Sequence, residues 1–443
     1  MQQLNDFAAQ LASWVWSWPL IILLCGTHLW MTIRSGFIQI KLPLALRLSF
    51  TKEKNSAGDV SHFAALATAL AATVGAGNII GVGVAISAGG PGAIFWMWLT
   101  GVFGMATKYA EALLAVKYRT FNSKGEICGG PMVVLEKALG LKWLGILFAI
   151  FTAIAAFGIG NMFQARSIAS QTIEMFPTLP EGPLRFGVAT LLAAATAAVL
   201  IGGVKSIANF CTFFVPAMVL LYMAGCLFIL ASHLSEIPSA IALIFHEAFT
   251  GQSAAGGALG AAIQAGIKRG LFSNESGLGS APIAAAAAKT SSPCRQALVS
   301  MTGTFWDTVV VCALTGLVII VTGAWQSAKN GVALAHAAFD HVPILGQPLL
   351  SIGLLTFVFS TLIGWAYYGE KAVEYLGGLK LIPAYRWLWI AAIFLGATIP
   401  GDLVINFADS ANGLMAIPNL IAILALGSII ASESKAFLSS KEN

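Results

Sequence analysis

The chain has 443 residues, of which 58% are hydrophobic and only 10% charged, and its net charge is +5. A soluble protein carries about 25% charged residues, so there is too little polar surface here to coat a water-soluble globule. The basic residues are spread over short loops, which argues against a nucleic-acid partner and for an all-α polytopic protein in a lipid bilayer.

A bilayer core of about 30 Å needs roughly 20 apolar residues as a helix. Eleven segments meet that need: 14–33, 61–88, 91–117, 142–172, 184–202, 206–231, 257–288, 295–323, 348–376, 383–399 and 402–431. The start, Met1-Gln-Gln-Leu-Asn-Asp, lacks the basic region of a cleavable signal, so the first segment is expected to be retained. The six cysteines are scattered without metal-like spacing and read as small packing residues.

Loop charges set the orientation. Arg34, Lys41, Arg47, Lys52 and Lys54 follow the first segment, and Arg119, Lys124 and Lys137 follow the third. Lys205, Lys289, Arg295, Lys371, Lys380, Arg386, Lys435 and Lys441 continue the same side. The opposite loops hold Arg185, Lys329 and mainly acids such as Glu174, Glu236 and Asp402. The N-terminus is therefore expected outside and the C-terminus in the cytoplasm.

Two apolar segments are interrupted by glycine and polar residues. The second carries Thr73-Val-Gly-Ala-Gly-Asn-Ile-Ile-Gly81 and the seventh carries Leu271-Phe-Ser-Asn-Glu-Ser-Gly-Leu-Gly279. Irregular backbone at membrane depth survives where protein buries it or a cavity receives it. Five segments run from each interruption to the end of its set. Five is odd, so the second set enters the membrane from the opposite side. The expected domains are an extra helix and basic loop (1–60), a first repeat (61–231), an inverted repeat (257–431) and a tail (432–443). This is the LeuT-like arrangement, with both interrupted helices unwound at mid-membrane.

The interruptions carry the chemistry. Freed amides at Gly75 and Gly77 suit a carboxylate, freed carbonyls before them suit a cation, and Asn78 adds a neutral oxygen. Ser273 and Asn274 offer polar groups without net charge. Glu275 can face a substrate ammonium, a cation, or Lys268 and Arg269; the ion pair is the favoured expectation because an unpaired buried acid is costly. In the ninth segment Ser360 and Thr361 read either as hydroxyls bonded back to their own helix or as ligands of a hard cation such as Na⁺. Trp365 is one turn on and could close over a small ligand. In the fourth, Asn161 and Gln164 share a face if the helix is regular. Glu111 and Asp307 read as isolated acids with structural partners. No nucleotide loop, zinc motif or nucleophile elbow occurs, so an enzyme is not expected.

At these residues the chain resembles the alanine or glycine:cation symporters, also called sodium:alanine symporters. The densest blocks are Gly75-Ala-Gly-Asn-Ile-Ile-Gly-Val82 through Gly89-Gly-Pro-Gly-Ala-Ile-Phe-Trp-Met-Trp98, and Arg269-Gly-Leu-Phe-Ser-Asn-Glu-Ser-Gly-Leu-Gly-Ser-Ala-Pro282. Ser276 departs from the family's frequent Ala. The resemblance implies a bacterial or archaeal plasma membrane and Na⁺-coupled uptake of alanine or glycine. The alternative is H⁺ coupling with Glu275 as carrier. It places a cation at Ala71, Val74, Ser360 and Thr361. It places the substrate among Gly75, Gly77, Asn78, Gln164, Phe272, Asn274 and Trp365, and allows a second cation near Asn78 and Ser273. It implies no organic cofactor and leaves the oligomeric state open.

Overall fold

Inside a bilayer every backbone polar group must be paired within the protein, which leaves helices or closed barrels as spanning structures. The computed structural model, which describes residues 2–51, 53, 56–250, 259–326, 331–399 and 401–440, is helical apart from one antiparallel pair, β1 (Thr120–Phe121) with β2 (Ile127–Cys128). Of the expected loop charges, Lys52, Lys54, Lys329 and Lys441 lie outside the described residues, as does the start of the 257–288 segment.

The chain begins with α1 (Gln2–Val15) and α2 (Trp18–Arg34), bent by 43°. The helix thus starts earlier than the 14–33 reading and breaks where Ser17 and Pro19 favour a new N-terminus. After α3 (Leu42–Ser49), the second segment divides into α4 (His62–Thr73), a single 3₁₀ turn at Ala76–Asn78, and α5 (Ile80–Gly89). Then come α6 (Ala93–Lys117), α7 (Pro131–Leu139) and α8 (Lys142–Ala155), which continues through a π-helical stretch, Ala156–Met162, into α9 (Phe163–Met175). Next are α10 (Glu181–Leu200), α11 (Gly203–Ser232) and α12 (Ile237–Thr250).

The seventh segment divides into α13 (Leu259–Asn274) and α14 (Ala281–Ala286). A second π-helical stretch, Phe305–Cys312, joins α15 (Pro293–Thr304) to α16 (Ala313–Val321). The chain finishes with α17 (Gly331–Phe339), α18 (Gly346–Gly377), α19 (Ile382–Thr398), α20 (Gly401–Ala425) and α21 (Gly427–Ser439). Helices α12 and α17 lie in stretches read as connections, being too short to register as spans. Among the described residues, seven stretches are long and apolar enough to cross a membrane, or eight if α1 and α2 form one span.

The two divided segments lie in the interior. α13 packs along α5 and α6, and α4 along α11, α14 and α18. Gly364 of α18 makes the last approach possible, since a Cβ there would sit 2.5 Å from the Ala72 amide nitrogen. The ends of the two segments are also tied together. Val60 and Ala288 form a parallel bridge, with Asp59 N donating to Ala287 O and Lys289 N to Val60 O. Arg119, just past α6, donates to the carbonyls of Ala57, Ala286, Ala288 and Thr290 at 2.7–3.2 Å. Arg119→Ala is expected to raise hydrogen–deuterium exchange at 57–60 and 286–290 and leave exchange in α19 unchanged; equal protection in wild type and variant would remove Arg119 as the tie.

Candidate functional site

The first interruption is set by what replaces its helical hydrogen bonds. Gly75 N would ordinarily donate to Ala71 O, but it donates to Asn78 Oδ1 at 2.8 Å. Asn78 N would donate to Val74 O, but it turns to Gly75 O. Both carbonyls are thereby released from the ladder. Ser360 Oγ and Thr361 Oγ1 of α18 approach Val74 O at 3.4 and 3.3 Å, and Ser360 also bonds its own helix at Phe357 O, 2.9 Å away. All four residues are buried. The result is a set of neutral oxygens around one released carbonyl.

On the other side of the turn, Ala76 N donates to Gln164 Oε1 at 3.1 Å, and Gln164 Nε2 donates to Ile159 O in the π-helical stretch. The Phe272 ring packs on Gly77, so a Cβ there would lie 3.6 Å from it. It stands edge-on to Phe163 with ring centres 5.2 Å apart. Asn161 does not share this face. The wider π turn rotates it away, and its Nδ2 donates to Trp389 O.

Asn78 also reaches Asp307, an acid that the sequence shows only as an isolated one. Asn78 Nδ2 donates to Asp307 Oδ1 at 2.7 Å, and Asp307 Oδ2 accepts from Ser273 Oγ at 2.9 Å and Thr308 Oγ1 at 2.6 Å. Asp307 thus joins the two interruptions. No local motif marks it; the signal is an acid in an otherwise apolar segment.

In the second interruption Glu275 has φ 58, Gly277 φ 88 and Gly279 φ 87, left-handed conformations that glycine adopts without strain. The buried amides of Gly277 and Gly279 both donate to Glu111 Oε1 at 3.0 Å, and Asn419 Nδ2 adds a third donor at 2.7 Å. Asn274 Oδ1 caps Ser276 N at 2.9 Å, while its Nδ2 has no partner among the described residues. Glu275 accepts from Trp365 Nε1 at 3.0 Å and from the Ser280 hydroxyl. Trp365 is fully buried against Gly160.

The expected pairing of Glu275 with Lys268 or Arg269 is corrected. Both cations bind Asp409 of α20, at 2.6 and 2.8 Å. Lys268 and Arg269 lie within α13, whereas Glu275 stands past its end in the turn at 275–280, so the short sequence separation does not bring them together.

The structure therefore gathers Gly75, Gly77, Asn78, Gln164, Phe272 and Ser273 around the first interruption. Ser360 and Thr361 stand on its carbonyl side, and Trp365 is engaged with the second interruption.

A profile of the sodium:alanine symporter family matches residues 1–443. The chain is 52% identical over 442 residues to the sodium/alanine symporter AgcS of Methanococcus maripaludis, covering 97% of this chain and 96% of that one. It is 36% identical to a putative sodium/proton-dependent alanine carrier protein, YrbD, of Bacillus subtilis, covering 95% and 90%. Its fold is similar to that of MhsT, a LeuT-fold transporter solved in complex with L-phenylalanine, with a TM-score of 0.55 at 14% identity over 86% of this chain and 99% of that chain.

Proposed function

The chain belongs to the sodium:alanine symporter family, and from that premise we propose that it couples Na⁺ entry to uptake of alanine or glycine by alternating access. One observation carries the reading. A single backbone interruption releases the Val74 carbonyl toward Ser360 and Thr361 on one side and turns toward Gln164 and Phe272 on the other. An ion and an amino acid can therefore share one mobile element.

Ala71 and Val74 carbonyls with the Ser360 and Thr361 hydroxyls form the Na⁺ site, a hard oxygen set suited to a hard cation. Gly75, Gly77 and Asn78 receive the substrate carboxylate end. Gln164, Phe272, Asn274 and Trp365 take the rest of the substrate, with Trp365 seated on Gly160 and Phe272 on Gly77. Asn78 and Ser273, with Asp307 added, make the second cation position.

The same reading has eleven spans, an extra N-terminal helix in 1–60, repeats at 61–231 and 257–431, and a tail at 432–443. The N-terminus lies outside a prokaryotic plasma membrane and the C-terminus inside. Both interruptions then fall at mid-membrane, where alternating access needs its site.

Proteoliposomes loaded with the purified protein provide the test. A Na⁺ gradient should drive accumulation of labelled alanine and glycine. Buried Glu275, which accepts from an indole and a hydroxyl, favours proton coupling as the second reading. Accumulation on a proton gradient with Na⁺ absent would select it and overturn the first. Within the Na⁺ reading, Thr361→Ala should raise the half-saturating Na⁺ concentration about tenfold, the equivalent of roughly 1.4 kcal/mol. An unmoved Na⁺ dependence would take Thr361 out of the site.

A further inference from the structure

One face of α6 runs along the second interruption. Gly101 meets Thr308, Gly104 meets Ser276, and Glu111 receives the Gly277 and Gly279 amides. Lys108 is one turn from both Gly104 and Glu111, on that same face. Its side chain is buried, and its ammonium has no hydrogen-bond partner among the described residues. A buried ammonium with nothing to donate to is costly, so its position calls for an electrostatic role. Three carboxylates feel its charge: Glu111, Glu275 and Asp307. A further titratable neighbour is His28 of α2, whose ring bonds Thr107 at 2.7 Å.

The three acids are not equally dependent on it. Glu111 already accepts three N–H donors. Asp307 accepts from Asn78, Ser273 and Thr308. Among the described residues Glu275 has only the Trp365 indole and the Ser280 hydroxyl as donors, and it stands in a left-handed backbone conformation at the turn itself. We propose that Lys108 is a positioning residue whose charge holds the Glu275 carboxylate, and through it the Trp365 indole, against the amino-acid pocket. The inference rests on the pocket assignment of Trp365 made above. Lys108 touches no substrate in this reading; its charge acts through Glu275 and then Trp365.

Uptake kinetics in proteoliposomes test it, with folding followed by size exclusion. Lys108→Met should raise the alanine KM about tenfold, the size of one charged contact. Lys108→Arg should keep the alanine KM near wild type. Lys108→Met/Glu275→Gln should recover it, since the amide still accepts from the indole without a charge to balance. Lys108→Met/Glu111→Gln should not. If Lys108→Met alone fails to fold, a folded double variant with Glu275→Gln and a near-wild-type KM supports the proposal. A folded Lys108→Met with wild-type alanine KM overturns it, as does failure of Glu275→Gln to restore either folding or KM. Wild-type uptake in the same preparation tests the transport reading separately.

Discussion

Replacing Gly75 by alanine is expected to weaken Na⁺ binding and amino-acid uptake together. Gly75 has φ −141 and ψ −159, an extended conformation open to any residue, so the effect is steric. A Cβ built there overlaps Thr361 Oγ1 and lies 3.2 Å from Gln164 Oε1. The first is a proposed Na⁺ ligand and the second holds the Ala76 amide. One methyl group therefore pushes on both halves of the site. Overpacking of this kind costs about 1–3 kcal/mol, roughly one to two decades in affinity. Gly77 supplies the contrast: its Cβ would sit at an ordinary 3.6 Å from Phe272. Gly77→Ala should keep most uptake, while the larger Gly77→Val should block the substrate position. Na⁺-dependent thermal stabilisation and uptake measure all three. Normal Na⁺ stabilisation of Gly75→Ala would reject the shared element.

The largest effect on stability is expected at Glu111. Its Oε1 is the acceptor for two backbone amides and the Asn419 amide, and its charge faces buried Lys108. Glu111→Leu leaves all of these uncompensated at once. Removing one partner of a buried charged set costs about 3–5 kcal/mol, against a total stability of roughly 5–15 kcal/mol. Little monodisperse protein should be recovered, and what is recovered should melt well below wild type. Glu111→Gln keeps an acceptor for the amides and should fall between the two. A Glu111→Leu protein with the wild-type melting temperature would show that the turn at 275–280 holds itself.

The interruptions at 74–79 and 275–280 are legible because their signals are local. Glycines and polar residues are costly in an apolar run unless the helix breaks there into protein or a cavity, and the Ser360–Thr361 pair stands out the same way. What the sequence conceals depends on distant partners. Asp307 and Glu111 look isolated because Asn78 and Gly277, which bind them, are 229 and 166 residues away. Lys268 and Arg269 look like natural partners for Glu275 by proximity, yet their acid is 140 residues on from Arg269. Asn161 departs from its expected place for a different reason. A regular helix puts it beside Gln164, and the π-helical stretch, which no residue type announces, turns it toward Trp389. Short helices such as α12 and α17 escape a length criterion set to the bilayer.

The junction of Val60 with Ala288, clamped by Arg119, reduces the number of independent motions available. The lead into one interrupted segment and the exit from the other cannot separate without breaking the same few bonds. Two hinges that would otherwise flex separately become a single reaction coordinate. In the proposed transport cycle, a movement of one interrupted segment without the other would have to break this junction. Tight stoichiometry would then be a mechanical property of the chain as well as a matter of ligand affinity.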